Sequence, residues 1–544
     1  MTTTQPHHAD PDYEVAIIGS GTGGICAGIK LQQMGIDDIV LIERADEMGG
    51  TWRANTYPNV GADLPFLVYQ FSFAPKGDWD HFFAKGQQIQ EYHLGLAREA
   101  GLDRKTLFNT EIVKEEWDEA NHRWLLHTAA GDVITSRFLL SAIGAYINPK
   151  DKPDIPGLED FRGKVMIPAD WDHDYDFRGK RAAVIGVGSS AVQIAPALAS
   201  EVEHLDIYQR TPQWYFPKPD FRTPRWMQRA LGMPGLARAV HEAVLFFLEL
   251  GLRVLIYTPP SLFAPGATVF DRIAHRLYDF WLWLCVRDKS VRDKLRPKYG
   301  AGCTRGTLGG GYLSIFNRRN VELHTTPIER IETDAVVTRD GVRRPIDLLV
   351  LATGYEMFSD PESYREGTVV GHSGFDLGRY YNTVGLRAYH STAVSGLPNR
   401  WILVGPYSWT GTAFHYILEN ATRHITAVLA EAKQRGSTRV EVTRAAQDAF
   451  HDDMIHRGRN LAHYFGVHCA GSNTYFVNSH GEAVYVRPWT IYQSRRRSVG
   501  FDRHDYRFSS LGPAAPSAPA DALVGAGRTD TDDIDTDNDD EVRV

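Results

Sequence analysis

The sequence predicts an α/β fold built from two Rossmann-like dinucleotide-binding domains, the second of which carries a helical insertion. Two glycine-rich turns are the main evidence: GSGTGG begins at Gly19 and GVGSSA begins at Gly186. Each turn follows a short apolar run typical of a buried parallel strand, opens a helical segment and leads to a second apolar run. The two turns lie 167 residues apart, which favours two separate domains over a short repeat.

Length and composition exclude several classes of protein. The chain has 544 residues, 43% of them hydrophobic, and a formal charge of −8. A chain this long exceeds what one core supports, so more than one domain is expected. The final 24 residues, 521–544, hold nine acidic and two basic residues, so the rest of the chain is close to neutral. The absence of a global positive field argues against nucleic-acid binding.

The cysteines and histidines predict neither disulfides nor a metal. Cys26, Cys285, Cys303 and Cys469 are far apart and form no CxxC pair, so neither a disulfide framework nor a thiolate zinc site is indicated. The first 13 residues contain no apolar stretch typical of a signal peptide. We therefore expect a reducing, cytoplasmic setting. The 21 histidines include no HExxH or comparable ligand cluster, so no metal site is predicted.

The first glycine turn has the spacing of a pyrophosphate-binding loop. Gly19, Gly21 and Gly24 allow a tight turn, a close approach of backbone to phosphate, and tight packing of the following helix. Glu43 stands at the end of the next apolar run, 24 residues after Gly19. A carboxylate at that position can accept hydrogen bonds from a ribose. We therefore expect a dinucleotide at this turn.

The second glycine turn differs from the first in the charge that follows it. Gly186 and Gly188 are followed by Ser189 and Ser190 at the start of a helix, and the next strand ends in Gln209-Arg210-Thr211 instead of an acid. Arg210 can form a forked, charge-assisted contact with a 2′-phosphate, which favours NADPH over NADH. Two dinucleotide sites in one chain imply a flavin that is reduced by a nicotinamide, so the expected cofactors are FAD and NADPH.

These observations predict a division of the chain. Residues 217–300 are helical and amphipathic, but charged residues interrupt their apolar stretches before they reach the length of a membrane span. A helical insertion over the nucleotide domain is the favoured interpretation, with contact to a membrane surface as the alternative. The expected parts are a polar lead at 1–12, an FAD-binding domain at 13–148 and 349–510, an NADP-binding domain at 149–348 with the insertion at about 217–300, and a disordered acidic tail at 511–544.

Two longer motifs carry a resemblance to one family. Residues 49–63, GGTWRANTYPNVGAD, resemble the Baeyer-Villiger monooxygenase motif Ala/Gly-Gly-x-Trp-x4-Phe/Tyr-Pro-Gly/Met-x3-Asp, with Asn59 at the Gly/Met position. Residues 161–172, FRGKVMIPADWD, resemble the second motif, Phe-x-Gly-x3-His-x3-Trp-Pro/Asp, with Ile167 at the histidine position. ATGY at 352–355 is similar to a third, shorter family motif. The resemblance implies that FAD is bound through Gly50, Thr51, Trp52 and Asp63.

Ile167 stands where the second family motif has a histidine, and this difference bears on the coupling between NADPH binding and oxygen chemistry. An imidazole can donate, accept or change charge near neutral pH, and an isoleucine side chain can do none of these. If the family histidine relays domain movement, its loss affects the coupling of NADPH binding to oxygen chemistry. His173 either takes over part of this role or is a polar loop residue.

The resemblance also identifies a catalytic arginine. Family members carry Cys-Lys-Arg or Thr-Lys-Arg beside the flavin and the nicotinamide, and this chain has Cys303-Thr304-Arg305. The implied role of Arg305 is to favour the anionic form of a peroxide on the reduced flavin, with Asp63 holding the guanidinium in place. Thr304 replaces the expected lysine and removes one cation near the 2′-phosphate.

The implied function is insertion of one oxygen atom of O2 next to a ketone carbonyl, which gives an ester or lactone. Two alternatives remain open. One is a flavin monooxygenase that oxygenates nitrogen or sulfur, and the other is a flavin-binding protein whose oxygenation is lost or uncoupled, for which Ile167 is the only support. The expected partners are a small-molecule ketone and O2.

Overall fold

The computed structural model describes residues 10–150, 152–409, 414–472 and 474–511. Most of the predicted polar lead and acidic tail lies outside these ranges. The strands of the described chain are β1 (Tyr13–Ile18), β2 (Ile39–Ile42), β3 (Thr106–Leu107), β4 (Ile112–Asp118), β5 (Arg123–Thr128), β6 (Val133–Ser141), β7 (Tyr146–Pro149), β8 (Lys164–Met166), β9 (Arg181–Ile185), β10 (His204–Tyr208), β11 (Tyr215–Phe216), β12 (Thr307–Leu308), β13 (Val321–His324), β14 (Ile328–Glu332), β15 (Ala335–Thr338), β16 (Arg343–Pro345), β17 (Leu348–Leu351), β18 (Tyr355–Met357), β19 (Val369–Val370), β20 (Arg400–Ile402), β21 (Arg439–Val442) and β22 (Tyr506–Ser509). The α-helices are α1 (Thr22–Gln33), α2 (Thr51–Ala54), α3 (Gly86–Glu99), α4 (Ser189–Glu201), α5 (Arg225–Leu231), α6 (Pro234–Leu248), α7 (Leu250–Tyr257), α8 (Pro260–Cys285), α9 (Lys289–Leu295), α10 (Tyr312–Ile315), α11 (Leu377–Val384), α12 (Phe414–Arg435), α13 (Arg444–Arg457), α14 (Arg459–His468) and α15 (Ile491–Val499).

The first sheet is mixed and holds the first glycine turn. In the described chain it has eight strands in the order β19-β4-β5-β6-β1-β2-β3, with β20 also pairing with β6. β1 pairs in parallel with both β2 and β6, and β2 is buried along its whole length, as expected for a parallel strand covered on both faces. α1 packs on these strands and α12 packs on α1, so the last third of the chain completes this domain.

The second sheet is parallel and holds the second glycine turn. Its strand order is β13-β10-β9-β17-β8, and every pairing along it is parallel. The turn after β9 leads into α4, and the Gly186 N–H donates to the carbonyl oxygen of Tyr208 at the end of β10, 3.2 Å away. The two sheets confirm the predicted fold class.

One predicted domain boundary is wrong by several residues. The sequence analysis ends the second domain at residue 348, but β17 (Leu348–Leu351) pairs with β9 in the second sheet. The chain therefore leaves this sheet only after Leu351. An apolar run of four residues has the same pattern in either parallel sheet, so the pattern alone does not assign it to one of them.

The helical insertion comprises α5 to α9 in the chain that the structure describes. α7 and α8 pack against α14, so a helix from the C-terminal part of the chain covers one side of the insertion. Among the described helices, none is long and apolar enough to cross a bilayer alone. α5 and α6 reach that length and composition only as a pair, and they are bent by 95°.

The structure corrects the expectation that the chain has no disulfide. Cys303 and Cys469 form a disulfide across 166 residues of sequence, with a Cα–Cα distance of 5.2 Å. It joins the loop that precedes Arg305 to the end of α14, while Cys26 and Cys285 are free. Sequence spacing gave no signal because the fold alone brings these two segments together. The expectation of a reducing setting relied on the absence of paired cysteines, and that premise does not hold.

The disulfide leads to a testable expectation about stability. Replacing both Cys303 and Cys469 by serine should lower the free energy of unfolding by about 2–4 kcal/mol, because the cross-link constrains a long loop of the unfolded chain. The measurement is the urea midpoint with and without a dithiol reductant. A matched control is Cys285→Ser, which removes a free cysteine and should leave the midpoint unchanged. A parent midpoint that does not respond to reductant would contradict the expectation.

Candidate active site

Both glycine turns open on one cavity. The cavity has a volume of about 730 Å³, within the range of cofactor and ligand sites. Most of the site residues predicted from the sequence line it. From the first domain these are Gly19, Gly21, Glu43, Gly50, Thr51, Trp52 and Asp63, and from the second domain they are Gly188, Ser189, Ser190 and Arg305.

Two of the three glycines predicted to shape the first turn, Gly19 and Gly24, have no room for a side chain. Gly19 has φ +98°, and a Cβ there would lie 2.7 Å from the carbonyl oxygen of Ala142. A Cβ on Gly24 would lie 2.0 Å from the carbonyl oxygen of Gly19. α1 begins immediately after Gly21, so its first N–H groups face the cavity and form a site for an anion.

Glu43 follows β2 at the edge of the cavity. One of its oxygens, Oε2, accepts hydrogen bonds from the backbone N–H and the hydroxyl of Ser20, at 2.9 and 2.8 Å. The other oxygen, Oε1, accepts from the Ala45 N–H at 3.0 Å. A carboxylate has about four acceptor positions, so acceptor capacity remains on Oε1. Glu43 therefore fixes the turn and can still accept a hydrogen bond from a ribose hydroxyl.

The second turn has a gap that a phosphate group would fit. Gly186 has φ +111°, and a Cβ there would lie 2.3 Å from the carbonyl oxygen of Ala352. Gly188 is different, because a Cβ on it would have no neighbour within 4 Å. α4 begins at Ser189, so the open space lies in front of helical N–H groups. The absence of a side chain at Gly188 keeps this space free for an anionic group.

Arg305 and Asp63 form an ion pair in the cavity. The Arg305 Nη2 donates to Asp63 Oδ1 at 2.6 Å, and Nη1 donates to the hydroxyl of Tyr146 at 3.3 Å. The guanidinium lies 5.4 Å from the ring centroid of Trp409. Burial by itself lowers the pKa of Arg305, but the charge of Asp63 and the surrounding tyrosines hold that pKa well above its usual value. The guanidinium therefore stays charged at any working pH.

The two strands that connect the domains pair with each other beside this ion pair. β7 leads into the second domain and β18 leads out of it, and the two strands pair antiparallel. Tyr146 begins β7 and Tyr355, the last residue of ATGY, begins β18. The Tyr355 hydroxyl donates to Asn55 Oδ1 at 2.9 Å, which connects the linker to the first long motif. The paired connecting strands therefore lie next to Arg305, which contacts Tyr146.

The first long motif also contacts the second domain directly. Asn59 Nδ2 donates to the carbonyl oxygen of Gln193 in α4 at 3.2 Å, and Gln193 Nε2 donates to the carbonyl oxygen of Gly61 at 3.1 Å. Asn59 has φ +65°, and Asn is among the residues that adopt this left-handed region most readily. Asn59 therefore suits the left-handed backbone at this position and makes a contact between the domains.

The second long motif brings an apolar side chain to the cavity. Ile167 lines the cavity, so the histidine of the family motif is replaced by a group without hydrogen-bonding capacity at that place. Trp171 is buried in the core of the second domain, and Asp172 pairs with Lys164. His173 is exposed and makes a hydrogen bond with Thr56 Oγ1 at 2.8 Å. It is not among the cavity-lining residues, as expected for a polar loop histidine.

Arg210 and Thr211 do not line the cavity. They follow the carboxyl end of β10, next to the second glycine turn, and Arg210 is exposed. Within the described ranges, no acidic side chain pairs with Arg210, so its guanidinium is available to a ligand. Thr304 is buried. The binding roles of Arg210 and Thr211 stay predictions.

Several cavity residues were missed by the sequence analysis. They are Tyr69, Tyr146, Gln193, Trp409 and Tyr475. Tyr146 had a usable signal, because it follows the end of a parallel strand, where ligand-contacting residues of such sheets are found. Trp409 and Tyr475 had none, since they belong to distant segments that only the fold brings together.

One cluster outside the cavity has ligand atoms close enough for a metal. His204, Asp206 and Glu322 place one such atom each within 4.8 Å of one another. Asp206 is already engaged, because its Oδ1 lies 2.6 Å from Nε2 of the buried His324. The cluster is therefore a hydrogen-bonding group between β10 and β13.

A family model, two bacterial proteins and a solved structure are similar to this chain. Residues 16–230 match the family model described as pyridine nucleotide-disulphide oxidoreductase. A Baeyer-Villiger monooxygenase of Pseudomonas aeruginosa is 34% identical, over 83% of this chain and 83% of that protein. One from Streptomyces coelicolor is 32% identical, over 94% of this chain and 96% of that protein. The crystal structure of OTEMO in complex with FAD and NADP has a TM-score of 0.79 at 22% identity, covering 92% of this chain and 100% of that one.

The last of these similarities supports the fold alone, because its sequence identity is low. The two bacterial relatives are 34% and 32% identical over 83% and 96% of their own length. The chain therefore belongs to the family of Baeyer-Villiger monooxygenases, which are flavin-dependent oxidoreductases.

Proposed function

We propose that this enzyme converts a ketone, O2, NADPH and a proton into an ester or lactone, NADP+ and water. The observation that carries the proposal is the Arg305–Asp63 ion pair, which faces the same cavity as both glycine turns. A half-buried, permanently charged group at the meeting point of two dinucleotide sites stabilises negative charge on a substrate oxygen. FAD, when bound, supplies electron transfer from NADPH and activation of O2.

The residues of the first domain fit FAD. The N–H groups at the start of α1 suit a pyrophosphate and the Glu43 carboxylate suits a ribose. The residues proposed to hold FAD are Gly19, Gly21, Gly24, Glu43, Gly50, Thr51, Trp52 and Asp63, and those proposed for NADPH are Gly186, Gly188, Ser189, Ser190, Arg210, Thr211 and Arg305.

Arg305 has the position and charge for the chemical step. Its guanidinium remains protonated, so it offsets negative charge that develops on the carbonyl oxygen of the ketone as oxygen is inserted. Asp63 and Tyr146 hold the two guanidinium nitrogens, which keeps the cation oriented during turnover. The rings of Trp52, Tyr69 and Trp409 line the surrounding wall, and they limit the access of water that would screen this charge.

An isotope experiment tests the proposed function. The purified enzyme with FAD is given NADPH, a panel of cyclic, linear and steroid-like ketones, and ¹⁸O2, and the products are identified by mass spectrometry. The expected result is an ester or lactone with one ¹⁸O atom for each NADPH consumed. NADPH consumption that yields only hydrogen peroxide would favour the uncoupled alternative. Oxygenation of an amine or sulfide without ester formation would favour the heteroatom alternative.

Arg210 provides a separate prediction about cofactor choice. Arg210→Ala should weaken NADPH binding by about 10- to 100-fold and change NADH binding little, because a charge-assisted hydrogen bond to the 2′-phosphate is lost. The measurement is the Kd of each cofactor by fluorescence titration. Arg178→Ala is the control, since Arg178 is an exposed arginine of the same domain that pairs with Asp176 instead. Equal weakening of both cofactors would show that Arg210 does not recognise the phosphate.

A further inference from the structure

The helical insertion exposes an unusual amount of apolar side chain. Of the 29 large hydrophobic side chains that are exposed in the described chain, 18 lie between residues 217 and 300. Trp226 and Phe247 are each 71% exposed. Single exposed apolar residues are normal, but a concentration of this kind marks an interaction surface.

The longest helix of the insertion has two apolar faces. Phe263, Ala267, Tyr278 and Leu282 are buried and hold α8 against the protein. A second set recurs at intervals of three, four or seven residues along a neighbouring face of the helix, which places its members in one line. This apolar stripe of α8 consists of Leu262, Val269, Ile273, Leu277, Phe280 and Leu284, all of them exposed. The helix therefore offers one apolar face to the core and another to its surroundings.

The other helices of the insertion also expose apolar side chains. α6 ends in three exposed apolar residues, Phe246, Phe247 and Leu248. α7 carries two more, Val254 and Tyr257. Trp226 on α5 and Trp283 on α8 are exposed as well. Trp and Tyr rings favour the boundary between lipid headgroups and acyl chains, because one part of each ring system is apolar and another is polar.

The charge of the insertion has the opposite sign to that of the whole chain. Residues 217–300 contain 14 Lys and Arg and 7 Asp and Glu, a formal charge of +7, although the complete chain carries −8. Two arginines, Arg272 and Arg276, flank the apolar stripe of α8. Three more, Arg225, Arg229 and Arg238, lie on α5 and α6. All five are exposed, and none has an acidic partner within the part of the chain that the structure describes. These cations are available to an external anionic surface.

We propose that the insertion binds to the surface of a lipid bilayer that contains anionic headgroups. The apolar stripe of α8 and the exposed rings of α6 and α7 enter the boundary between headgroups and acyl chains, while the arginines contact the headgroups. The helices lie in the plane of the surface. A second copy of this chain fits the charge less well, because a symmetric contact would bring the exposed arginines of the two insertions towards each other.

Vesicle co-sedimentation tests this proposal with the full chain loaded with FAD. The parent protein is mixed with vesicles of phosphatidylcholine alone or of phosphatidylcholine with 30% phosphatidylserine, where this fraction is roughly chosen to give a physiological surface potential. We expect binding to the anionic vesicles that weakens as salt is raised. The variant Leu277→Ser/Phe280→Ser should bind at least about tenfold more weakly, since two exposed apolar side chains are lost. Arg272→Glu/Arg276→Glu should lose at least about fivefold per arginine.

Controls separate a lipid surface from other partners. Val113→Ser removes an exposed apolar side chain on β4, outside the insertion, and should leave vesicle binding unchanged. Circular dichroism and FAD content verify that each variant is folded, and light scattering measures the mass of the parent protein without lipid. Three results would overturn the proposal: no binding of the parent to anionic vesicles, binding of folded stripe variants equal to that of the parent, or a dimer of the parent that the stripe variants convert to monomer.

Discussion

Replacing Arg305 by alanine should reduce ester formation by about a hundred- to a thousandfold, because the preorganised positive charge of the cavity is lost. The guanidinium makes its closest contact with Asp63, at 2.6 Å, and its removal leaves an unpaired carboxylate facing the space where negative charge develops. FAD binding should persist, since the first glycine turn and Glu43 are untouched. Product formation per NADPH, measured by gas chromatography, reports the loss separately from cofactor reduction.

Two further variants test whether the effect belongs to the geometry of this site. Arg305→Lys keeps the charge but lacks the fork that engages Asp63 and Tyr146 together, so we expect partial recovery at most. Arg53→Ala is the matched control, because Arg53 lies on the neighbouring α2 and pairs with the exposed Asp46 instead. Ester formation by Arg305→Ala close to the parent rate would remove Arg305 from the chemical step.

Replacing Gly188 by valine should weaken NADPH binding by about 10- to 100-fold while FAD remains bound. A Cβ at this position meets no atom within 4 Å, so the fold accepts the side chain. The added methyl groups then occupy the space in front of the first N–H groups of α4, where a pyrophosphate would lie. Overpacking of a fitted site typically has a cost of this size. Titration of NADPH against the FAD-loaded variant measures the effect.

Another glycine provides the control for this prediction. Gly466 in α14 also has open space around a Cβ, and it is not among the residues that line the cavity. Gly466→Val should therefore leave NADPH affinity unchanged. If Gly188→Val binds NADPH as tightly as the parent protein, the second glycine turn does not hold the cofactor backbone as proposed.

Local patterns predicted much of this protein correctly. The strands before Gly19 and Gly186 and the helices after them follow from short-range chemistry: a buried parallel strand is a continuous apolar run, and a tight turn into a helix requires glycine where a Cβ would collide with backbone. The family resemblance pointed to Arg305 and Asp63, and the structure shows them in contact. Their catalytic roles stay predictions that the variants above test.

Other features depend on which distant segments the fold brings together. Cys303 and Cys469 pair across 166 residues, and Trp409 and Tyr475 enter the cavity from segments with no motif. The assignment of β17 to the second sheet has the same origin. Apolar periodicity predicted the helices of the insertion, but it did not show which apolar stripe of α8 is buried, because both stripes have the same spacing. Only the tertiary structure decides this, since burial depends on the neighbours that long-range packing supplies.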